Sequence, residues 1–269
     1  MMMANVVLAG RGGSGGAAAI AWRRNRSPPF RRTSVRSSLI QPKKLLVFGD
    51  HIFVLSPEVP EPDVASFSLA RHVRVGSTDR VADIGTGVGF LAVIAGAAAR
   101  RVVAVDLTEE SVRCARQNVA VNAMTDRVEV RRGDLFGPVG GETFDLVLAN
   151  PPQMPTPPAF ARQDWQGIAD SGGAAGRTML DRLMTSAADH LERGGRLCFA
   201  QYNFLSLDET VALLRSAGFA EVGVQDSDVP IGRLTWERLP YIDTIKTWPE
   251  AVRSAPYVHK LHVVTATKG

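Results

Sequence analysis

From Arg80 to the C-terminus the chain alternates short, almost wholly apolar runs with segments of helical spacing, and that alternation leaves few folds open. Arg80–Ile84, residues 101–107 (RVVAVDL), residues 128–131, Phe144–Ala149 and residues 196–201 read as strands. Residues 90–99, a segment capped by Thr108, and residues 177–192 and 207–217 read as helices, with a Gly194-Gly195 turn before the strand at 196. Strands joined by crossover helices predict a doubly wound α/β fold with a mostly parallel, Rossmann-like sheet. Strands near 221–225 and 261–267 complete it, with an antiparallel strand at the C-terminal edge. Upstream, Lys44–Phe48 and His51–Leu55 alternate as a hairpin would, Pro57, Pro60 and Pro62 end it, and residues 65–73 have helical spacing.

Charge divides the chain unevenly. Of 31 Lys+Arg, nine fall in residues 1–49, which hold no acid, so the remainder carries 22 basic and 27 acidic residues. A uniformly basic nucleic-acid-binding domain is disfavoured. Residues 1–43 are expected to be a disordered basic leader, 44–76 a small N-terminal substrate-side segment, and 77–269 the catalytic domain. The leader reads as a disordered tail or miscalled start, as an organelle transit peptide, or as a nucleic-acid arm; after Arg23-Arg24 the prolines exclude a twin-Arg signal. The expected location is cytoplasmic, with organelle targeting by the leader as the alternative. No run of about 18 uninterrupted apolar residues provides a membrane span. Cys114 and Cys198 lie in a helical and a strand segment as reduced thiols do, and no Cys/His cluster points to a metal.

The first strand runs into Asp83-Ile84-Gly85-Thr86-Gly87-Val88-Gly89 and then a helix. Glycines there let the backbone turn tightly and approach a ligand. Alone they are weak evidence, because related turns bind NAD or FAD. Asp83 separates the cases: a carboxylate serves a dinucleotide pyrophosphate poorly and a cationic ligand with an amino-acid tail well. Asp106, which with Leu107 ends the second strand, stands where a carboxylate accepts both hydroxyls of an adenosine ribose; the alternative is a solvated acid. Asp134, followed by Leu135, fits a carboxylate beside an adenine amino group, or a turn residue before Gly137-Pro138.

The fourth strand stops at Asn150-Pro151-Pro152-Gln153. Prolines fix φ and bias Asn150 towards extended backbone, holding it at the sheet's carboxyl edge. An Asn amide oxygen and a proline carbonyl are both acceptors, and together they can grip the N–H bonds of an amine or amide.

With these residues the chain resembles the class I S-adenosylmethionine-dependent methyltransferases, in the branch whose (N/D/S)PP(Y/F/W) motif serves methylation of planar nitrogens. The pattern is most similar to the release-factor glutamine methyltransferases (HemK/PrmC family) over roughly residues 57–205: Pro60-Glu61-Pro62-Asp63, the Asp83–Gly89 turn, Asn150-Pro151-Pro152, and Ser171-Gly172-Gly173-Ala174-Ala175-Gly176. The resemblance implies S-adenosyl-L-methionine as cofactor, with Gly85, Thr86, Gly87 and Gly89 along its methionine part, Asp106 on the ribose, and Asp134 and Leu135 flanking the adenine. It implies that Asn150 and Pro151 orient the acceptor nitrogen, with Pro152 and Gln153 completing the catalytic motif. Gln153 departs from the family's aromatic residue, which stacks on the planar target, and Val64-Ala65 replace polar residues at the end of the lead-in. Both changes fall on the acceptor side and imply a divergent acceptor, a protein or a small molecule. Nitrogen methylation of an RNA or DNA base, a Rossmann oxidoreductase, and a non-catalytic cofactor- or RNA-binding module are the alternatives. No strong base is required, so His51, His72, His190, His259 and His262 are given no role. Phe160 and Trp165 are candidates for a lid or acceptor wall.

Overall fold

The computed structural model describes residues 6–8, 44–161, 165–245 and 258–269. The expected leader lies outside the described residues apart from Val6–Leu8 (β1), a strand that pairs parallel to Lys44–Phe48 (β2). β2 and His51–Leu55 (β3) form the expected hairpin, and Val64–His72 (α1) follows, capped by Asp63, whose carboxylate accepts from Ser66 N at 2.9 Å. The alternation then unfolds as Arg80–Ile84 (β4), Phe90–Gly96 (α2), Arg101–Asp106 (β5), Glu109–Val121 (α3), Val128–Arg132 (β6) and Phe144–Ala149 (β7). Trp165–Asp170 (α4), Thr178–Ala187 (α5), Leu191–Tyr202 (β8), Leu207–Ser216 (α6), Phe219–Pro230 (β9), Arg233–Ile245 (α7) and Val258–Lys268 (β10) complete it.

The main sheet has the order β6-β5-β4-β7-β8-β10-β9. Pairing is parallel from β6 to β8, and β10 runs antiparallel to both β8 and β9. The antiparallel strand therefore lies in the C-terminal half of the sheet, one place in from the edge that β9 forms. The helix read at 177–192 is shorter than its pattern, because Leu191 already pairs with Phe144. The turn read at Gly194-Gly195 is a bulge inside β8, between the Phe144–Leu191 and Leu146–Arg196 pairs.

Both faces of the sheet are covered, which is why its strands read as continuous apolar runs. The two-residue period splits each strand between two cores. Val102, Ala104, Leu146 and Leu148 face α1, α2 and α3, while Val103, Val105, Val147 and Ala149 face α5 and α6. Leu46, Phe53 and Leu55 of the hairpin and Leu69 of α1 belong to the first core, so residues 44–76 share the interior of the main domain. Phe53 is wholly buried, a contribution of about 1.5–3 kcal/mol for a side chain of this size.

The hairpin is also held by two side chains of α3. Asn118 is fully buried; its Oδ1 accepts from Val54 N at 2.7 Å and its Nδ2 donates to Val54 O at 3.1 Å. One turn later, Asn122 makes the same pair of bonds to Ile52, at 3.0 and 2.8 Å. Two amides spaced four residues apart on a helix thus pair with alternate residues of a strand.

Cys114 and Cys198 are both buried and stand outside any disulfide. Among the described residues no group of His, Cys, Asp and Glu is placed to hold a metal ion, and no helix is long and apolar enough to cross a membrane.

Candidate active site

β4 leads one way to β5 and β6 and the other way to β7 and β8, so the strand order reverses beside it and a crevice opens at the carboxyl ends. A cavity of about 610 Å³ lies there. At its floor Gly85 and Gly87 have φ of +78° and +55°, and a β-carbon at either would project into open space. Gly85 N and Thr86 N both donate to Val105 O, at 2.9 and 3.0 Å, which folds the turn over the end of β5.

Two of the residues expected on this floor lie behind it. Gly89 packs α2 against α3, where a β-carbon would stand 3.1 Å from Ala115 Cα. Asp83 is 1% exposed and does not line the cavity; its Oδ2 accepts from Thr86 Oγ1 at 2.6 Å, so it fixes a residue that does. Burial pushes the Asp83 carboxyl up to about 7, a shift the Thr86 hydroxyl partly offsets. An unfolded Asp ionises near pH 4, so between about pH 4 and 7 the folded chain holds a proton that the unfolded chain has lost, and stability falls as pH rises through that window. Asp83→Asn keeps the shape and removes the titration. Its stability advantage over the parent should be small near pH 4 and grow to on the order of 4 kcal/mol by pH 8, read from thermal melts across that range. An advantage independent of pH would refute the assignment.

Asp106, at the end of β5, lines the cavity and organises the turn. Its Oδ2 accepts from Gly87 N at 2.9 Å, and its Oδ1 accepts from Thr108 N and Oγ1 at 3.0 and 3.1 Å. Leu107 lines the same wall and is 45% exposed. Asp134 lines the far end and pairs with Arg182 at 2.6 Å; both are half exposed, so the pair is weak and easily exchanged. Leu135, beside it, has φ of +46°, a left-handed conformation that disfavours a residue with a β-carbon.

Asn150 stands at the end of β7 as its prolines predict. Its Nδ2 is directed at the start of α1, with Asp63 Oδ1 and Ser66 Oγ each at 3.1 Å. Pro151 and Pro152 line the cavity beside it. Gln153 is 5% exposed and its side chain is committed to β8: Oε1 accepts from Tyr202 N at 2.8 Å and Nε2 donates to Ala200 O at 3.1 Å. It seats the Asn-Pro-Pro segment on the sheet. The side chain expected in the catalytic motif is thus bonded at both ends to main chain while the residue still lines the cavity. The Ser171–Gly176 segment packs under the same loop, where a β-carbon at Gly172 would fall 2.4 Å from Gly176 O.

Several lining residues were not assigned from sequence. Asp63 was only part of the lead-in, yet it caps α1 and holds Asn150. Tyr202, Phe204 and His259 form one wall, and α4 and the start of α7 close over the cavity through Ile168, Ala169 and Leu234. His259 is 2% exposed, its Nδ1 has no hydrogen-bond partner, and burial pushes it down to about 4, so the ring is neutral at pH 7. Phe160 is 59% exposed and lies under the Arg238 guanidinium, 4.7 Å from ring centre to Cζ, outside this cavity. The side chain of Trp165 lies outside the described residues.

Among the described residues, Glu58, Glu61, Asp63, Asp106, Asp134 and Asp170 line the cavity against one cationic side chain, Arg233. The residues of the turn and of the Asn-Pro-Pro segment, drawn from β4, β5 and β7, thus converge on one acidic, apolar-walled crevice.

Residues 57–158 match the family model described as the methyltransferase small domain. A Methanocaldococcus jannaschii protein assigned as a protein N5-glutamine methyltransferase is 31% identical over 166 residues, spanning 61% of this chain and 83% of that protein. A release factor glutamine methyltransferase of Gloeobacter violaceus is 33% identical over 125 residues, spanning 44% of each chain. Other curated relatives are matched over about half of their length or less. A methyltransferase from Pyrococcus furiosus superposes with a TM-score of 0.53 at 18% identity, covering 81% of this chain and 88% of that one, a likeness of fold.

Proposed function

The chain belongs to the HemK/PrmC-type family of class I S-adenosylmethionine-dependent methyltransferases, and from that membership we propose that it methylates a side-chain amide nitrogen of a protein, with glutamine the favoured acceptor. The observation that carries this reading is the fixed orientation of Asn150. With its Nδ2 held by Asp63 and Ser66, its Oδ1 is left as an acceptor at the carboxyl edge of the sheet, in the cavity that Pro151 also lines.

The residues present fit the cofactor that the family uses. Gly85 and Gly87 leave a cradle that a β-carbon would fill, Asp106 offers a carboxylate at the end of β5, and Asp134 and Leu135 bound the far end. An acidic lining suits a cation that carries an amino-acid tail and repels a pyrophosphate, which disfavours a dinucleotide cofactor. When bound, S-adenosyl-L-methionine supplies a methyl group already activated on a sulfonium. The protein's own part is alignment. Asn150 Oδ1 and the Pro151 carbonyl accept the two N–H bonds of a carboxamide, turning its nitrogen towards the cradle and drawing density off the hydrogens. Apolar walls at Ile84, Phe90 and Leu183 exclude water from the same space.

Incubation with methyl-labelled cofactor and, separately, purified release factor, ribosomal proteins, ribosomal RNA and small amines tests the reading. Label should enter a protein, with the added methyl located by mass spectrometry on a glutamine side chain. Label confined to RNA or to amines would replace this acceptor class with another.

A further inference from the structure

Resting on the reading above, we propose that the acceptor's flat carboxamide is received against the ring of Tyr202, making Tyr202 a specificity-determining, substrate-contacting residue. Tyr202 ends β8, and its ring is stacked on two others. The Tyr202–His259 centroids are 4.7 Å apart at 15°, and the Tyr202–Phe204 centroids are 5.4 Å apart at 17°. Were Tyr202 sandwiched between them, the outer rings would be about 10 Å apart. They are 6.2 Å apart, so the three rings form a bent cluster and not a straight sandwich, and the half-buried Tyr202 keeps ring surface on the cavity it lines. All three rings line the cavity that holds Asn150 and Pro151.

Two further contacts tie this wall to the acceptor grip. Burial, and then the charge of the nearby Asp63 carboxylate, keep the Tyr202 phenol protonated, and that same carboxylate holds Asn150 Nδ2 at 3.1 Å. Tyr202 N donates to Gln153 Oε1, so the residue following Asn-Pro-Pro positions the ring through the main chain. The flat surface that Gln153 cannot present is thereby offered from β8, with Asp63 as the joint between ring and amide. A carboxamide laid on such a face keeps its N–H bonds in the plane, free to reach Asn150 Oδ1 and Pro151 O, whereas a tetrahedral ammonium has no plane to match it.

The test uses the full chain saturated with S-adenosylhomocysteine and titrated with N-acetylglutamine amide, with N-acetyl-lysine amide as the non-planar comparison. Saturation transfer by NMR should pass from aromatic protons to the glutamine side chain in the parent protein and not to the lysine side chain. Tyr202→Leu should weaken binding of the glutamine probe about five- to tenfold, the scale of one aromatic contact, while Tyr202→Phe stays within about twofold. Calorimetric affinity for S-adenosylhomocysteine should be the same in all three proteins, which separates a lost contact from a lost fold. Equal probe affinity in parent and Tyr202→Leu, or absence of transfer in the parent, would overturn the role of Tyr202 and leave the cofactor assignment standing. Failure of the parent to bind S-adenosylhomocysteine would instead remove the reading on which the role rests.

Discussion

Asn150→Ala should lower methyl transfer by about 10²- to 10³-fold, the usual cost of deleting one preorganised hydrogen-bonding group at a reacting centre, while affinity for S-adenosylhomocysteine changes by less than about twofold. The separation follows from where Asn150 sits. Its amide nitrogen donates to Asp63 and Ser66, and Asp63 keeps two other donors, Ser66 N at 2.9 Å and Ser66 Oγ at 3.1 Å. Removing the amide therefore leaves the cap of α1 standing, and the Gly85–Gly89 turn between β4 and α2, proposed to cradle the cofactor, is untouched. Single-turnover transfer beside calorimetry reads both quantities. Retained transfer would show that the acceptor nitrogen is oriented by something else.

Asp106→Ala should do the reverse, lowering affinity for S-adenosylhomocysteine by about a hundredfold or more. A carboxylate that accepts two hydroxyls makes charge-assisted bonds of about 1.5–3 kcal/mol each, and about 2.7 kcal/mol is a factor of one hundred. In the structure the same carboxylate gathers Gly87 N, Thr108 N and Thr108 Oγ1, so its loss also loosens the turn and the start of α3. Calorimetry is the measurement, with Asn150→Ala as the variant expected to bind normally. Binding within a few-fold of the parent would move the ribose contact elsewhere.

The fold was legible where local pattern and tertiary setting agree. β4 and β7 begin and end where their apolar runs do, because each is buried on both faces between parallel neighbours, and α3 starts at the Thr108 cap that the sequence announces. α7 was missed because Pro240 lies inside it and removes a backbone donor, which from sequence argues against a helix. β9 and β10 are longer than their apolar cores. Their pairing runs from Val258–Pro230 to Lys268–Phe219 through polar residues such as Asp226 and Asp228, which an edge strand tolerates.

The candidate site divides in the same way. Residues carried by a contiguous motif, such as Gly85, Gly87, Asp106 and Asn150, could be read because turn chemistry and strand ends dictate their types. Tyr202, Phe204 and His259 could not, since they come from the ends of β8 and β10 and meet only through strand pairing across some 55 residues of chain. Asp83 and Gln153 belong to motifs, yet one lies beneath the wall and the other is bonded to β8. Their spacing gave their positions; the direction of their side chains depended on neighbours that no local pattern contains.

The two asparagines of α3 bear on how this chain meets other copies of itself. β3 is the outer strand of its small sheet, and an open strand edge is a template for unwanted pairing between molecules. Asn118 and Asn122 occupy the donors and acceptors of Val54 and Ile52, as a neighbouring strand would, while belonging to a helix that cannot extend the sheet. The edge is thus closed by a partner that ends the ladder. A hairpin that looks like an appendage is protected against edge-to-edge association by the same helix whose Thr108 cap is anchored at Asp106, beside the glycine turn.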